Sequence, residues 1–261
     1  MIKFFRNIRQ KLLSQGKTAN YLKYAIGEIV LVVIGILIAL QINNWNETRK
    51  ENKKENYLLT QLQKEFKADS ILINRYISIT NTKVVQGRKV KLAIETKDYN
   101  ISIDSIVTDA FFNGRVVLFE PYMPTYDEII SSGNLDILKN DDLKNMIKKY
   151  KNYNETLKTF LYNESQKRKA DYNTHLYNYF DSEIMTLLWE INPDERYKIH
   201  DSLLKYKLNV KGFIDDPETI YHVKTAIGVD RELNFQYKVR AMPSIETILN
   251  QLKTEIDKSH D

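Results

Sequence analysis

One carboxylate stands inside an apolar stretch, and its position most calls for a chemical role. Glu28 lies four residues into Tyr24–Ile42, YAIGEIVLVVIGILIALQI, where Gln41 is the other strongly polar side chain. If that stretch crosses a bilayer, Glu28 sits roughly 7 Å from the midplane, and an unpaired acid there costs on the order of 1–3 kcal/mol. Glu28 then has two competing roles. It works inside the bilayer, protonated or bound to a cation, or it reaches the cytoplasmic headgroups and pairs with Lys23 or a partner's cation. Gly27, Gly35 and Ala39, spaced eight and four apart, give the same helix a small-residue side that a second helix can approach closely.

The remaining chemistry-bearing residues form no set. Of His175, His200, His222 and His260, none has another His or a Cys at metal-ligand spacing. Asp171, His175 and Tyr179 share a helix face, but one Asp–His pair is not a site. Serine nucleophile elbows, phosphate-binding glycine loops and dinucleotide fingerprints are absent. The expectation is a protein without catalytic residues, metal or cofactor, and not an enzyme. Most of the 17 tyrosines fall on apolar stripes, as helix-packing residues with a wet hydroxyl do. The segment carrying Phe119, Pro121, Tyr122, Pro124 and Tyr126 suits a recognition loop, with ordinary loop packing as the plainer alternative.

These residues must be positioned by a membrane anchor and a helical domain. The nineteen residues Tyr24–Ile42 make a helix of about 28 Å, close to the thickness of a hydrocarbon core. Six of the 39 Lys and Arg precede it with no acid among them, which leaves 33 against 34 Asp and Glu in the rest of the chain. The excess charge is therefore all in the tail. That excludes a nucleic-acid patch and predicts a cytoplasmic N-terminus with the C-terminal bulk exported. A cleaved signal peptide would be followed by alternating small residues; Gln-Ile-Asn-Asn-Trp-Asn follows instead, and Trp45 suits an interface anchor. The absence of cysteine fits any compartment.

The periodicity divides the chain into a basic tail (1–23), a transmembrane helix (24–42), a long juxtamembrane helix (43–95) and the rest of a helical domain (96–261). In the tail, Phe4, Phe5, Ile8 and Leu12 share one face over residues 2–13, as in an interfacial helix or a plain topogenic tail. Gly16 ends that segment and the chain turns near Thr18–Tyr21. Beyond Trp45 the stripe Leu58/Leu59, Leu62, Phe66, Ile73, Tyr76/Ile77 predicts a helix to about residue 95, weakest at Gly87. Ile101–Phe112 reads as a short helix or irregular segment, and Val116–Leu118 as part of a small hairpin. Thr125 with Glu128 makes a capping box for a helix that Gly133 closes. Asn140 caps the next helix, and a polar interval over Asn163–Asp171 interrupts its stripe. A small helix spans Glu195–Tyr206. Asp216-Pro217 opens a helix that Pro243 kinks or ends, and Ile245, Ile248, Leu252 and Ile256 mark the last one. The fold class is all-α: a transmembrane helix continuing into a bundle with long helices.

Two blocks carry a resemblance. Tyr24-Ala25-Ile26-Gly27-Glu28-Ile29, running through Gly35-Ile36-Leu37-Ile38-Ala39 to Asn43-Asn44-Trp45-Asn46-Glu47, is the first. Thr125-Tyr126-Asp127-Glu128 with Ser131-Ser132-Gly133-Asn134-Leu135 is the second. Together they resemble a bacterial family of small single-span inner-membrane proteins whose exported domain has no assigned function, and the likeness runs over most of the chain. It implies an inner-membrane anchor, a periplasmic helical domain, and no known activity or cofactor. The function expected is that of an interaction or scaffold protein, meeting a protein partner or a second copy through the span or the helical domain, with no small-molecule substrate identified. The alternative is an accessory subunit of a proton-coupled or transport complex that uses Glu28.

Overall fold

The computed structural model describes residues 18–192 and 195–258. The tail segment over residues 2–13, its stop at Gly16 and His260 lie outside the described residues. Among the described residues the fold is all-α, with no strand and a single isolated bridge between Phe180 and Leu208. The chain divides into two compact units, Met1–Tyr57 and Leu58–Asp261. Helix α1, Thr18–Glu95, contributes residues to both, and the turn expected at Thr18–Tyr21 is helical instead.

In the first unit the apolar side chains of α1 point outward: Leu31 is 60% and Leu37 59% exposed. No part of the most apolar 18-residue window is buried, in contrast to the core helix of a soluble protein. The helix is long and apolar enough to cross a membrane and is a candidate anchor. Past it, Asn43 donates to Glu47 and the Arg49 guanidinium lies 5.9 Å from the Trp45 ring centroid.

The second unit is a helical bundle. It holds the rest of α1, then α2 (Ile103–Gly114), α3 (Pro124–Ser131), α4 (Asp141–Thr156), α5 (Asn163–Leu176), α6 (Glu183–Glu190), α7 (His200–Leu203), α8 (Val210–Asp215), α9 (Thr219–Phe235) and α10 (Met242–Lys258). Several boundaries follow the sequence signals. Asn140 caps α4 by accepting from the Leu143 N–H at 2.8 Å. Gly133, at φ +68°, closes α3 with the paired bonds Asn134 N–H to Ile129 O and Gly133 N–H to Ile130 O that define a Schellman motif.

Elsewhere tertiary packing overrides the local signal. The polar interval Asn163–Asp171 is helical: a π turn, Leu157–Tyr162, joins α4 to α5, and its wider spacing returns Tyr162, Ser165, Lys169 and Tyr172 to the buried side. Pro243 does not end its helix either. The π turn Gln236–Ala241 precedes it, so the ring falls where the i−4 ladder is already re-registered. Thr125 is not an N-cap; α3 begins at Pro124, and the Thr125 N–H (3.0 Å) and hydroxyl both bond Glu65 of α1, a carboxylate at the positive end of the helix. Val116–Leu118 forms no hairpin; it belongs to an irregular segment without regular secondary structure. Of Glu195–Tyr206 only His200–Leu203 is α-helical, because so short a segment is held by docking Ile199 and Leu203 rather than by its own ladder. At α9 the Asp216 side chain accepts from Glu218 N–H in a turn before a helix that starts at Thr219.

Two apolar clusters form the core. One gathers Leu58–Ile73 of α1 with α3, α4 and α10; the other gathers Val84–Ile94 of α1 with α2 and α5–α8. Helix α9 gives Val229 and Leu233 to the first and Val223, Ala226 and Ile227 to the second. At Gly87, inside the second, an added Cβ would stand 2.6 Å from Ile227 Cγ1 and 2.9 Å from Asn113 Oδ1. The helix expected to be weakest there is unbroken, and the missing side chain lets α2 and α9 approach.

Candidate functional site

Along α1, Leu72, Arg75/Tyr76, Ile79, Thr82/Lys83 and Gln86 recur at intervals of three and four and so share one face. That face forms one wall of a cleft of about 820 Å³. Thr108 and Phe112 of α2, the connecting segment Arg115–Leu118, Trp189 of α6, and Arg196 and Tyr197 complete it. The lining holds four cations, Arg75, Lys83, Arg115 and Arg196, and no Asp or Glu.

Aromatic faces hold the arginines. The Arg115 guanidinium lies 3.5 Å from the Trp189 ring centroid and 4.7 Å from that of Phe112, and Arg196 lies 4.7 Å from the same Phe112 centroid. Stacking fixes each guanidinium plane while leaving edge N–H groups to bond an oxyanion. Burial, then the neighbouring Arg196 charge, pushes Arg115 below the usual arginine pKa. Arg196 is fixed further: its Nε donates to Leu188 O, and its carbonyl accepts from Thr108 Oγ1, both at 2.9 Å. Tyr197 donates to Asp109 at 2.6 Å and accepts from Gln86 at 2.9 Å. Two like charges held together in a half-buried cleft are an arrangement that a bound anion relieves.

Lys83 belongs to a different balance. Its ammonium lies 2.7 Å from Asp230 Oδ1, while Lys169 lies 2.7 Å from Oδ2 of the same carboxylate. All three side chains are buried, at 3%, 0% and 0% exposure for Lys83, Lys169 and Asp230. Lys169 also donates to Ala226 O at 2.8 Å and to Asn113 O, so each of its three N–H bonds finds an acceptor. Burial, then the Lys83 charge, pushes Lys169 down to about 7; burial also lowers Lys83. Free positive charge in the cleft therefore comes from the arginines.

The residues singled out in the sequence are dispersed. Glu28, Gly27, Gly35 and Ala39 lie on the outward-facing part of α1, where an added Cβ at Gly27 or Gly35 would meet nothing within 4 Å. Trp45 is exposed. Phe119 and Tyr126 are core residues, and Phe119 packs edge-on against Tyr76 and Tyr237. Its N–H donates to Tyr237 and its carbonyl accepts from Tyr162. Tyr122 and Pro124 are exposed, and Pro121 lines a pocket of about 170 Å³ beside Glu120, Lys151 and Lys158. The buried tyrosines, Tyr126, Tyr150, Tyr162, Tyr172 and Tyr237, are packing residues whose phenols are pushed upward by burial.

The cleft itself escaped the sequence reading, since its arginines come from separate segments; Phe112 and Arg115, three apart, are its one local signal. A second gathering also escaped it. His175 of α5 stacks on His222 of α9, ring centroids 4.4 Å apart and planes 21° apart, with Glu218 beside them. The spacing of Glu218 and His222 was visible; their meeting with His175 was not.

No curated protein and no solved structure matches the chain. Residues 28–226 match a family of unknown function, DUF6090. The matched region runs from Glu28 in the candidate anchor to Ala226 in α9 and includes every residue that lines the cleft. With most of its length inside that match, the chain belongs to the DUF6090 family of unknown function.

Proposed function

We propose that this protein is a single-span, membrane-anchored interaction protein without catalytic activity, whose cleft receives an anionic segment of a partner protein. The observation that carries the proposal is the cleft itself: arginines stacked on Trp189 and Phe112, with no carboxylate in the lining. A partner carboxylate beside an apolar or aromatic side chain matches such a lining, because the guanidinium edges pair with the charge and the ring faces cover the rest. Six cations and no acid before the apolar stretch support a cytoplasmic N-terminus, with the helical unit in the periplasm of a bacterial inner membrane.

The test is recovery of co-purifying proteins from gently solubilised membranes. Replacing both Arg115 and Arg196 with alanine should lower partner recovery by about tenfold or more, the scale of lost charged hydrogen bonds. Undiminished recovery at equal membrane levels would overturn the cleft's role. A periplasm-only reporter fused after Asp261 should be active, and the same reporter at Lys17 silent. The accessory-subunit reading rests on Glu28 alone. It requires that Glu28→Gln, which keeps shape and hydrogen bonding, insert normally and lose the partner.

A further inference from the structure

We propose that His175, Glu218 and His222 form a divalent metal site suited to Zn²⁺, separate from the cleft and independent of its function. One imidazole nitrogen from each histidine and one carboxylate oxygen from Glu218 all lie within 4.8 Å of one another. Ligands about 2.0–2.1 Å from a tetrahedral zinc are about 3.4 Å apart, so closing the set takes a turn of the His222 ring out of its stack on His175 and a swing of Glu218 toward it. Those rotations are available: Glu218 is exposed and His222 half-buried.

The backbone holds the donors in place. Glu218 and His222 are four apart at the start of α9 and share one face. His175 lies in the last turn of α5, and α5 packs against α9. Two of the donors, His175 and His222, thus come from docked helices, and Glu218 stands at the N-cap of α9, fixed by its N–H bond to Asp216. The His175 ring is itself held. Its Nε2 lies 2.9 Å from Thr219 Oγ1 and 3.7 Å from Asp216 Oδ2, and Tyr179 donates its hydroxyl proton to that same carboxylate oxygen. Outer contacts of this kind orient ligating imidazoles. Two imidazoles and a carboxylate suit Zn²⁺ among first-row ions available to proteins, and three protein donors leave a position for water or a further ligand.

The experiment uses the full-length protein in detergent, carrying an affinity tag without histidine and stripped of metal by chelator. It is titrated with Zn²⁺ in competition with a chromophoric chelator. One Zn²⁺ should bind per chain. His222→Ala should weaken it by about 100-fold and Glu218→Gln by at least about tenfold, while His260→Ala leaves it unchanged. Glu218 is exposed, so its glutamine variant tests the site even if His222→Ala misfolds. Absence of a stoichiometric site, or equal affinity in the parent and Glu218→Gln, would overturn the proposal. Neither result bears on partner recovery through Arg115 and Arg196.

Discussion

The two apolar clusters of the helical unit are built from different materials. The first rests on long helices: α1 from Leu58 to Ile73, α4, and α10 with Ile245, Ile248 and Leu252, sealed by Tyr150, Tyr162 and Tyr237. The second is assembled from α2 and the short helices α6, α7 and α8 around Phe111, Phe180 and Phe213. Its pieces are tied by side chains that bond backbone, such as Thr108 to Arg196 O, Lys97 to Ile214 O and Lys207 to Asn178 O. The histidine pair lies against this second region, and the cleft runs from Tyr76 and Leu118, which pack on the first, to Phe112 and Trp189 on the helices of the second. Long helices settle their own backbone hydrogen bonds, whereas short connected pieces leave carbonyls, ring faces and charged side chains to be arranged tertiarily, and clefts form there.

Between the clusters runs the buried Lys83–Asp230–Lys169 triad. In sequence each member lies between residues of the two: Lys83 between Ile73 and Val84, Lys169 between Tyr162 and Tyr172, Asp230 between Ile227 and Leu233. The largest expected effect breaks this seam. Asp230→Ala strands two buried ammonium groups and should cost about 3–5 kcal/mol. Because the triad touches both regions, hydrogen exchange should show them losing protection together; loss confined to one would show that they unfold independently.

A smaller effect is expected inside the second region alone. Helix propensity favours Gly87→Ala by about 1 kcal/mol, but the new methyl meets Ile227 and Asn113. Overpacking should prevail and lower stability by about 1–3 kcal/mol, as thermal unfolding in detergent would register. A stabilised variant would show that α2 and α9 yield easily.

The smallest effect concerns the first region and pH. Asp69 of α1 accepts from the Tyr122 N–H at 3.3 Å, while its other oxygen is buried without a partner among the described residues. Burial, only partly offset by that bond, raises its pKa from 3.8 to about 6, and Glu65 adds to the rise. The folded state then holds a proton that the unfolded state has released. This contribution to stability is present below about pH 4 and lost as pH rises through about 6. Asp69→Asn should flatten the stability profile across that window; an unchanged profile would place the slope elsewhere.

By itself the sequence determined what periodicity, charge asymmetry and capping encode. The apolar stretch, the stripe Leu58–Ile73, the cap at Asn140 and the closure at Gly133 are local patterns, each written within about twenty residues, and the all-α class is their sum along the chain. Tertiary structure decided what local patterns do not contain. At α3, Glu65 from another helix bonds the Thr125 N–H and hydroxyl, because the helix starts at Pro124 and places Thr125 inside its first turn. Two π turns carried helices past a polar interval and a proline, because the buried faces of Tyr162–Tyr172 and Tyr237–Ile245 had to be brought into register. Phe119 and Tyr126 went to the core. Arg115, Trp189 and Arg196, like His175, Glu218 and His222, meet only when separate helices dock. Their positions are set by packing between elements, a long-range property that spacing along one chain cannot express.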